Sequence, residues 1–207
     1  MGLKDVDALR SFCLELSSDQ PSPGGGTASA AAGAMSASLL IMVCGVTGRS
    51  KRHMDHWQEI EELKTALVRR RDDLLSLAKE DADAYDALFE ASKRRRASDT
   101  PENREEFQAS LRRAAEVPTL TSAECCAVLE QSILVAGLQS RSASSDTVVA
   151  VLLAEAGFNG ASANVDINLR DIEDIDFVRS TQKRLKDQST KVKRLVEDAL
   201  SRLREPA

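Results

Sequence analysis

Aromatic side chains are scarce in this chain of 207 residues: five Phe, one Tyr and one Trp. Little is left to fill a thick sheet-on-sheet core, whereas abundant Ala, Ser and Leu with few Gly and Pro suit closely packed helices. The four cysteines (Cys13, Cys44, Cys125 and Cys126) have neither metal-ligand spacing nor the layout of a paired framework. They read as reduced thiols of a cytoplasmic protein, and no metal site is expected. A cationic excess is missing as well, because the formal charge is −5. That argues against a chain built to hold a nucleic-acid backbone. The basic runs Arg69–Arg71 and Lys93–Arg96 are flanked by acids and read as solvated helix faces. The first residues, Met1-Gly2-Leu3-Lys4-Asp5, lack the basic-then-apolar layout of a signal peptide. Only Thr27–Thr47 is free of charge over about one bilayer span. Its first half is nearly all Ala, Ser and Gly, so a buried central helix is expected there and no membrane span.

What is present is a succession of helical patterns without alternating strand patterns. With 42% hydrophobic and 29% charged residues, the chain fits a single domain over 1–207. Asp5–Leu16 places Val6, Leu9, Phe12 or Cys13, and Leu16 at amphipathic spacing. The Pro/Gly cluster up to Gly26 breaks that helix, and Thr27 is expected to cap the next one, which runs to the basic turn at Gly48–His53. A long helix over about Met54–Ser92 follows, with a register slip near Arg70. Shorter helices are expected over Glu102–Ala115 and Thr121–Leu138, separated where Val117-Pro118 starts the second. Ser144-Ser145-Asp146 reads as a cap for Thr147 to about Leu169. A charged last helix, Asp174–Arg204, carries Phe177, Leu185, Val192, Leu195, Val196, Leu200 and Leu203 as its stripe. The fold class is therefore an all-α bundle of long helices.

Pro21-Ser22-Pro23-Gly24-Gly25-Gly26-Thr27 is the sharpest local feature. Three glycines before a helix expose backbone N–H groups at the positive end of its dipole, as a ligand cradle or as a plain hinge. The Lys-Ser/Thr ending of a nucleotide loop is missing, so neither ATP nor a dinucleotide is indicated. Lys51, with Arg49 and Arg52, ends the Ala-rich helix, where its dipole favours cations. Asp81-Ala82-Asp83-Ala84-Tyr85-Asp86 puts acids inside a helix patterned for burial, where Asp83 gives up helix propensity. Asn164 and Asn168 share a helix face and can read a heterocycle edge or satisfy a neighbouring helix terminus. Asp146 lies in a first helical turn, the usual place of a dipole-favoured cap.

In this order, the glycine loop, the Ala/Ser helix with Met42-Val43-Cys44, the turn at Lys51, Asp81–Tyr85, Val117-Pro118, Ser145-Asp146 and Ala163-Asn164-Val165-Asp166-Ile167-Asn168-Leu169 resemble the cyclodeaminase domain of formiminotransferase-cyclodeaminase and the stand-alone methenyltetrahydrofolate cyclohydrolases. The resemblance runs from about Leu3 to the end of the chain. It implies an all-helical subunit that pairs through its helices into a homodimer and binds a tetrahydrofolate derivative, with no other cofactor. Its reaction is either cyclodeamination of 5-formiminotetrahydrofolate or hydrolysis of 5,10-methenyltetrahydrofolate, and a separate formiminotransferase is a conceivable partner. On that resemblance Asp83, Asp146 and Lys51 are the catalytic candidates, and Pro23, Gly24, Gly25, Gly26, Asn164 and Asn168 the substrate-binding ones. The chain departs from its relatives at Arg49–His53, at Gln139–Ser144 and at Lys93–Arg96. The alternative from another class is a non-catalytic helical scaffold that joins a partner through its charged last helix.

Overall fold

The structure, a computed structural model, describes residues 6–49, 51–139 and 143–204. Small residues decide its architecture. Helices α1 (Val6–Leu16), α2 (Gly25–Gly48), α3 (Trp57–Ala97), α4 (Pro101–Leu138), α5 (Ser144–Asn168) and α6 (Ile175–Arg204) follow one another, with short 3-10 segments at Lys51–His56 and Leu169–Asp171. No strand occurs among the described residues. Helix α2 is the central element and packs on α3, α5 and α4. It runs antiparallel to α5, since Ser29 meets Gly157 while Ser36 Oγ donates 2.6 Å to the carbonyl of Ala150.

That crossing has no spare room. A methyl group on Gly33 would stand 2.7 Å from Sγ of Cys125, and one on Gly157 would stand 2.8 Å from the Ser29 carbonyl and 2.9 Å from the same sulfur. Two glycines and a cysteine thus let three backbones converge, which replaces bulky aromatic filling by close approach. Around this point Leu40, Val43, Leu67, Leu74, Val128, Leu129, Val151 and Phe158 form the main core. Burying each such side chain contributes about 1.5–3 kcal/mol. The Cys125 thiol, shut in here, is pushed up to about 12 by burial. It is a packing group and a poor nucleophile.

Three expectations change, while that of one long helix through Arg70 holds. Helix α2 starts at Gly25 with Gly24 as N-cap, so Thr27 stands inside its first turn and does not cap it. Helix α3 runs without a break to Ala97, and Arg70, at the register slip, makes a two-pronged ion pair with Glu124 of α4 at 2.8 and 2.9 Å. The two helices expected around Val117-Pro118 are one, α4, with Pro118 inside it. An interior proline removes an N–H and ordinarily costs about 3 kcal/mol by orphaning the carbonyl four residues back. Here that carbonyl, of Ala114, accepts a 2.6 Å bond from Nδ2 of Asn168, so the defect is satisfied from another helix. Finally, the stripe of α6 is not free for a partner. Leu185, Val192, Val196 and Ala199 are buried, and Leu195 and Leu200 pack on the main core. The seam on which a scaffold would rely is used to close the subunit itself.

The tight crossing makes a paired test. Gly157→Ala should lower the melting temperature by several degrees, an overpacking loss of about 1–3 kcal/mol. Gly45→Ala, in α2 itself but half-buried and with nothing within 4 Å of the added methyl, should be neutral or stabilise by about 0.5–1 kcal/mol. Equal effects of the two in thermal unfolding would show that close approach is not what holds α2.

Candidate active site

The N-terminal end of α2 opens into a cavity of about 200 Å³ shared by α3, α4 and α5. Its wall comprises Pro21, Ser22, Gly24, Gly25 and Gly26 from the loop and first turn, Asp81, Tyr85 and Leu88 from α3, Ala114 from α4, and Asn164, Ile167 and Asn168 from α5. Residues some 140 positions apart meet because α2 is antiparallel to both α3 and α5, which sets its first turn beside the late turns of each.

Asp81 is the one carboxylate in this wall. Oδ2 accepts a 2.9 Å bond from the Thr27 hydroxyl, and the carboxylate also accepts the Thr27 backbone N–H. Gly24 makes no side-chain cap, so a donor orphaned at the α2 N-terminus is satisfied by an acid from another helix, at the positive end of the dipole. A methyl group on Gly26 would overlap that carboxylate. The glycine is required for space, because no glycine among the described residues has a positive φ. Burial pushes the Asp81 carboxyl up from its ordinary value, against the lowering pull of the Thr27 bonds.

The two asparagines are oriented by backbone. Asn164 Nδ2 donates 2.9 Å to the carbonyl of Gly160, and Asn168 Nδ2 donates 2.6 Å to that of Ala114. A carbonyl can only accept, so in each amide the NH2 side is committed to protein and the Oδ1 side is left for a ligand donor. With the free N–H groups of the first turn of α2 and the hydroxyl of Tyr85, the cavity offers donors and acceptors in a half-apolar wall.

The candidates from sequence separate into two groups. Gly24, Gly25, Gly26, Asn164 and Asn168 line this cavity together, and Pro23 lies between lining residues without lining it. Asp83 does not belong to it: the residue is exposed and turned away, and Asp81, two positions earlier, takes the place expected of it. The readable signal was the buried stripe Leu74–Leu77, whose next three-to-four step is Asp81, whereas Asp83 falls on the opposite side of the helix. Asp146 stands in the first turn of α5, about 27 Å along that helix from Asn164. The 3-10 segment at Lys51 follows the far end of α2, about 36 Å from its first turn. The Lys51 side chain lies outside the described residues.

Comparison with known proteins bears on the whole of this arrangement. The family model described as formiminotransferase-cyclodeaminase matches residues 8–187. A methenyltetrahydrofolate cyclohydrolase of Methylorubrum extorquens is 30% identical over 187 residues, covering 86% of this chain and 87% of that protein. The mouse formimidoyltransferase-cyclodeaminase is 35% identical over 184 residues, and the match spans 33% of its length. The crystal structure of a formiminotetrahydrofolate cyclodeaminase from Thermotoga maritima superposes with a TM-score of 0.86 at 28% identity, covering 94% of both chains.

A raised carboxyl in the folded state means that folding takes up a proton which the unfolded chain releases. The contribution of Asp81 to stability is then fullest below the ordinary carboxylate range and is lost as pH rises through its raised value. Asp81→Asn removes this titration while keeping an acceptor for Thr27. The melting temperature of the parent relative to Asp81→Asn should therefore rise as pH falls from 7 towards about 4. A difference that stays constant over that range would contradict the assignment.

Proposed function

The chain belongs to the formiminotransferase-cyclodeaminase family, and on that premise we propose that it is a folate one-carbon enzyme acting on the carbon between N5 and N10 of tetrahydrofolate, with the cavity at the N-terminal end of α2 as its active site. The supporting observation is the convergence of one half-buried acid, two oriented amides and a free helix N-terminus in a single cleft.

Both family reactions pass through a tetrahedral carbon. In cyclodeamination N10 attacks the formimino carbon, a proton moves to the departing nitrogen, and ammonia leaves as the methenyl bridge forms. In hydrolysis water attacks the methenyl carbon, gives up a proton, and the bond from that carbon to N5 opens to leave 10-formyltetrahydrofolate. Each needs one group that takes a proton from the nucleophile and returns one to the leaving nitrogen. Asp81 is assigned that role, because burial moves its carboxyl towards neutral pH and its Thr27 bonds hold it in place. The Oδ1 atoms of Asn164 and Asn168 accept from the N–H groups of the pterin, and the ring lies against Tyr85, Leu88 and Ile167. No other cofactor enters this acid-base chemistry. The bifunctional relatives carry a transferase in the same chain, and this chain spans about a third of their length. A separate formiminotransferase is the corresponding partner.

The proposal includes a homodimer. Helices α2 and α5 are apolar on their outer sides as well: Met35, Met42 and Val46 of α2 and Val149 and Leu152 of α5 are each 41–49% exposed. Helix α1 buries none of its residues despite its apolar stripe. A second copy of the chain covers such a face by isologous pairing. A two-fold axis across the middle of α2 then sets the C-terminal end of one α2 beside the N-terminal end of the other. That would return Asp146 and the turn at Lys51, distant within a subunit, to the neighbourhood of the partner's cavity.

Purified protein assayed for loss of methenyltetrahydrofolate absorbance, and in parallel for ammonia release from 5-formiminotetrahydrofolate, tests the reading directly. One of the two activities is expected. Asp81→Asn should lower kcat by about 10²-fold or more with little change in folate binding, as removal of a proton-transfer group does. Asp83→Asn should stay within about threefold of the parent rate, as expected of an exposed group outside the cleft. The reverse pattern would return the role to Asp83.

A further inference from the structure

We infer that Pro118 is a positioning residue for the active site: by removing one backbone N–H from α4 it commits the Asn168 amide to the Ala114 carbonyl and so turns the Asn168 Oδ1 towards the substrate. The inference rests on the folate reading above for the identity of the ligand, though its geometry does not.

An amide side chain has two ends of nearly equal shape, and a binding site needs one of them in a known place. In a regular helix the carbonyl of Ala114 would accept the N–H of residue 118. Proline has none, and its ring crowds that carbonyl outward. The carbonyl therefore stands free in the cavity wall, where Ala114 itself is a lining residue. Asn168 supplies the missing donor at 2.6 Å. Because the carbonyl can only accept, the NH2 side of the amide must face it. No protein donor among the described residues reaches the opposite side, Oδ1. Pro118 is itself buried and does not line the cavity, so it acts only through this chain of contacts. Asn164 is held differently, by a carbonyl one turn back in its own helix, and should be indifferent to Pro118.

A double-mutant cycle of Pro118→Ala and Asn168→Ala, read by unliganded melting temperature and by Kd for 5-formyltetrahydrofolate, tests both halves. In the parent, Asn168→Ala should lower the melting temperature by orphaning the Ala114 carbonyl. With alanine at 118 the restored N–H takes that carbonyl, so the same substitution should cost much less. Pro118→Ala should raise Kd about tenfold in the parent, and less than about twofold when Asn168 has already been removed. Pro118→Val, which keeps more of the buried volume, should repeat both results and serves if the alanine variant folds poorly. Additive melting shifts would overturn the pairing, and additive Kd changes, or an unaltered Kd in both position-118 variants, would overturn the positioning role. A parent protein that binds no folate would overturn the functional reading and the positioning role with it, a result distinguishable by melting shifts that still couple.

Discussion

The closeness with which α2 meets α4 and α5 is the constraint from which the rest follows. Gly33, Gly157 and the Cys125 sulfur occupy a point where a single added methyl has no space. A core poor in aromatic rings reaches interior packing density by this route, exchanging side-chain bulk for the approach of backbones. The register of α2 is thereby set against both neighbours. Its first turn is delivered to Asp81 on one side and to Asn164 on the other.

Electrostatics and hydrogen bonding then act on what packing has placed. An α-helix whose N-cap and first two residues are glycines has no side chain of its own to cap it, and the missing acceptor comes from Asp81, fifty-four residues away from Thr27. The same carboxylate is half-buried, which raises its affinity for a proton and suits it to carrying one. On the opposite wall, a second defect of helical hydrogen bonding, the Pro118 gap, is filled by Asn168. Two imperfections that would be costly in isolated helices are each satisfied across a helix interface, and both satisfying groups face the same cleft. The cavity proposed as the active site thus lies where the helices of this fold are least self-sufficient.

Much of this was legible in the sequence. The all-helical class, the central Ala/Ser helix and the pairing of the glycine loop with Asn164 and Asn168 follow from composition, period and resemblance. Where the structure arranges things differently, the reasons are identifiable. Pro118 was read as a helix start because the donor that rescues its partner carbonyl comes from α5, and a local pattern holds no trace of it. Thr27 was read as a cap because Gly24 has no side chain and Asp81 is remote. Asp83 was named on resemblance and on its poor helix propensity, whereas the stripe from Leu74 and Leu77 leads to Asp81. Asp146 and Lys51 were grouped with the glycine loop through resemblance alone. Within one subunit they belong to the other end of α2, a separation visible only once the antiparallel course of α2 and α5 is known.

The central claim is that one cleft, at the N-terminal end of α2, receives the reduced folate. A crystal structure of the protein with 5-formyltetrahydrofolate tests it most directly. The account predicts the pterin against Asn164 and Asn168, with the N5-side carbon within hydrogen-bonding reach of Asp81 or of one water held by it. A pterin seated elsewhere, with Asp81 and both asparagines making no contact to it, would contradict the account.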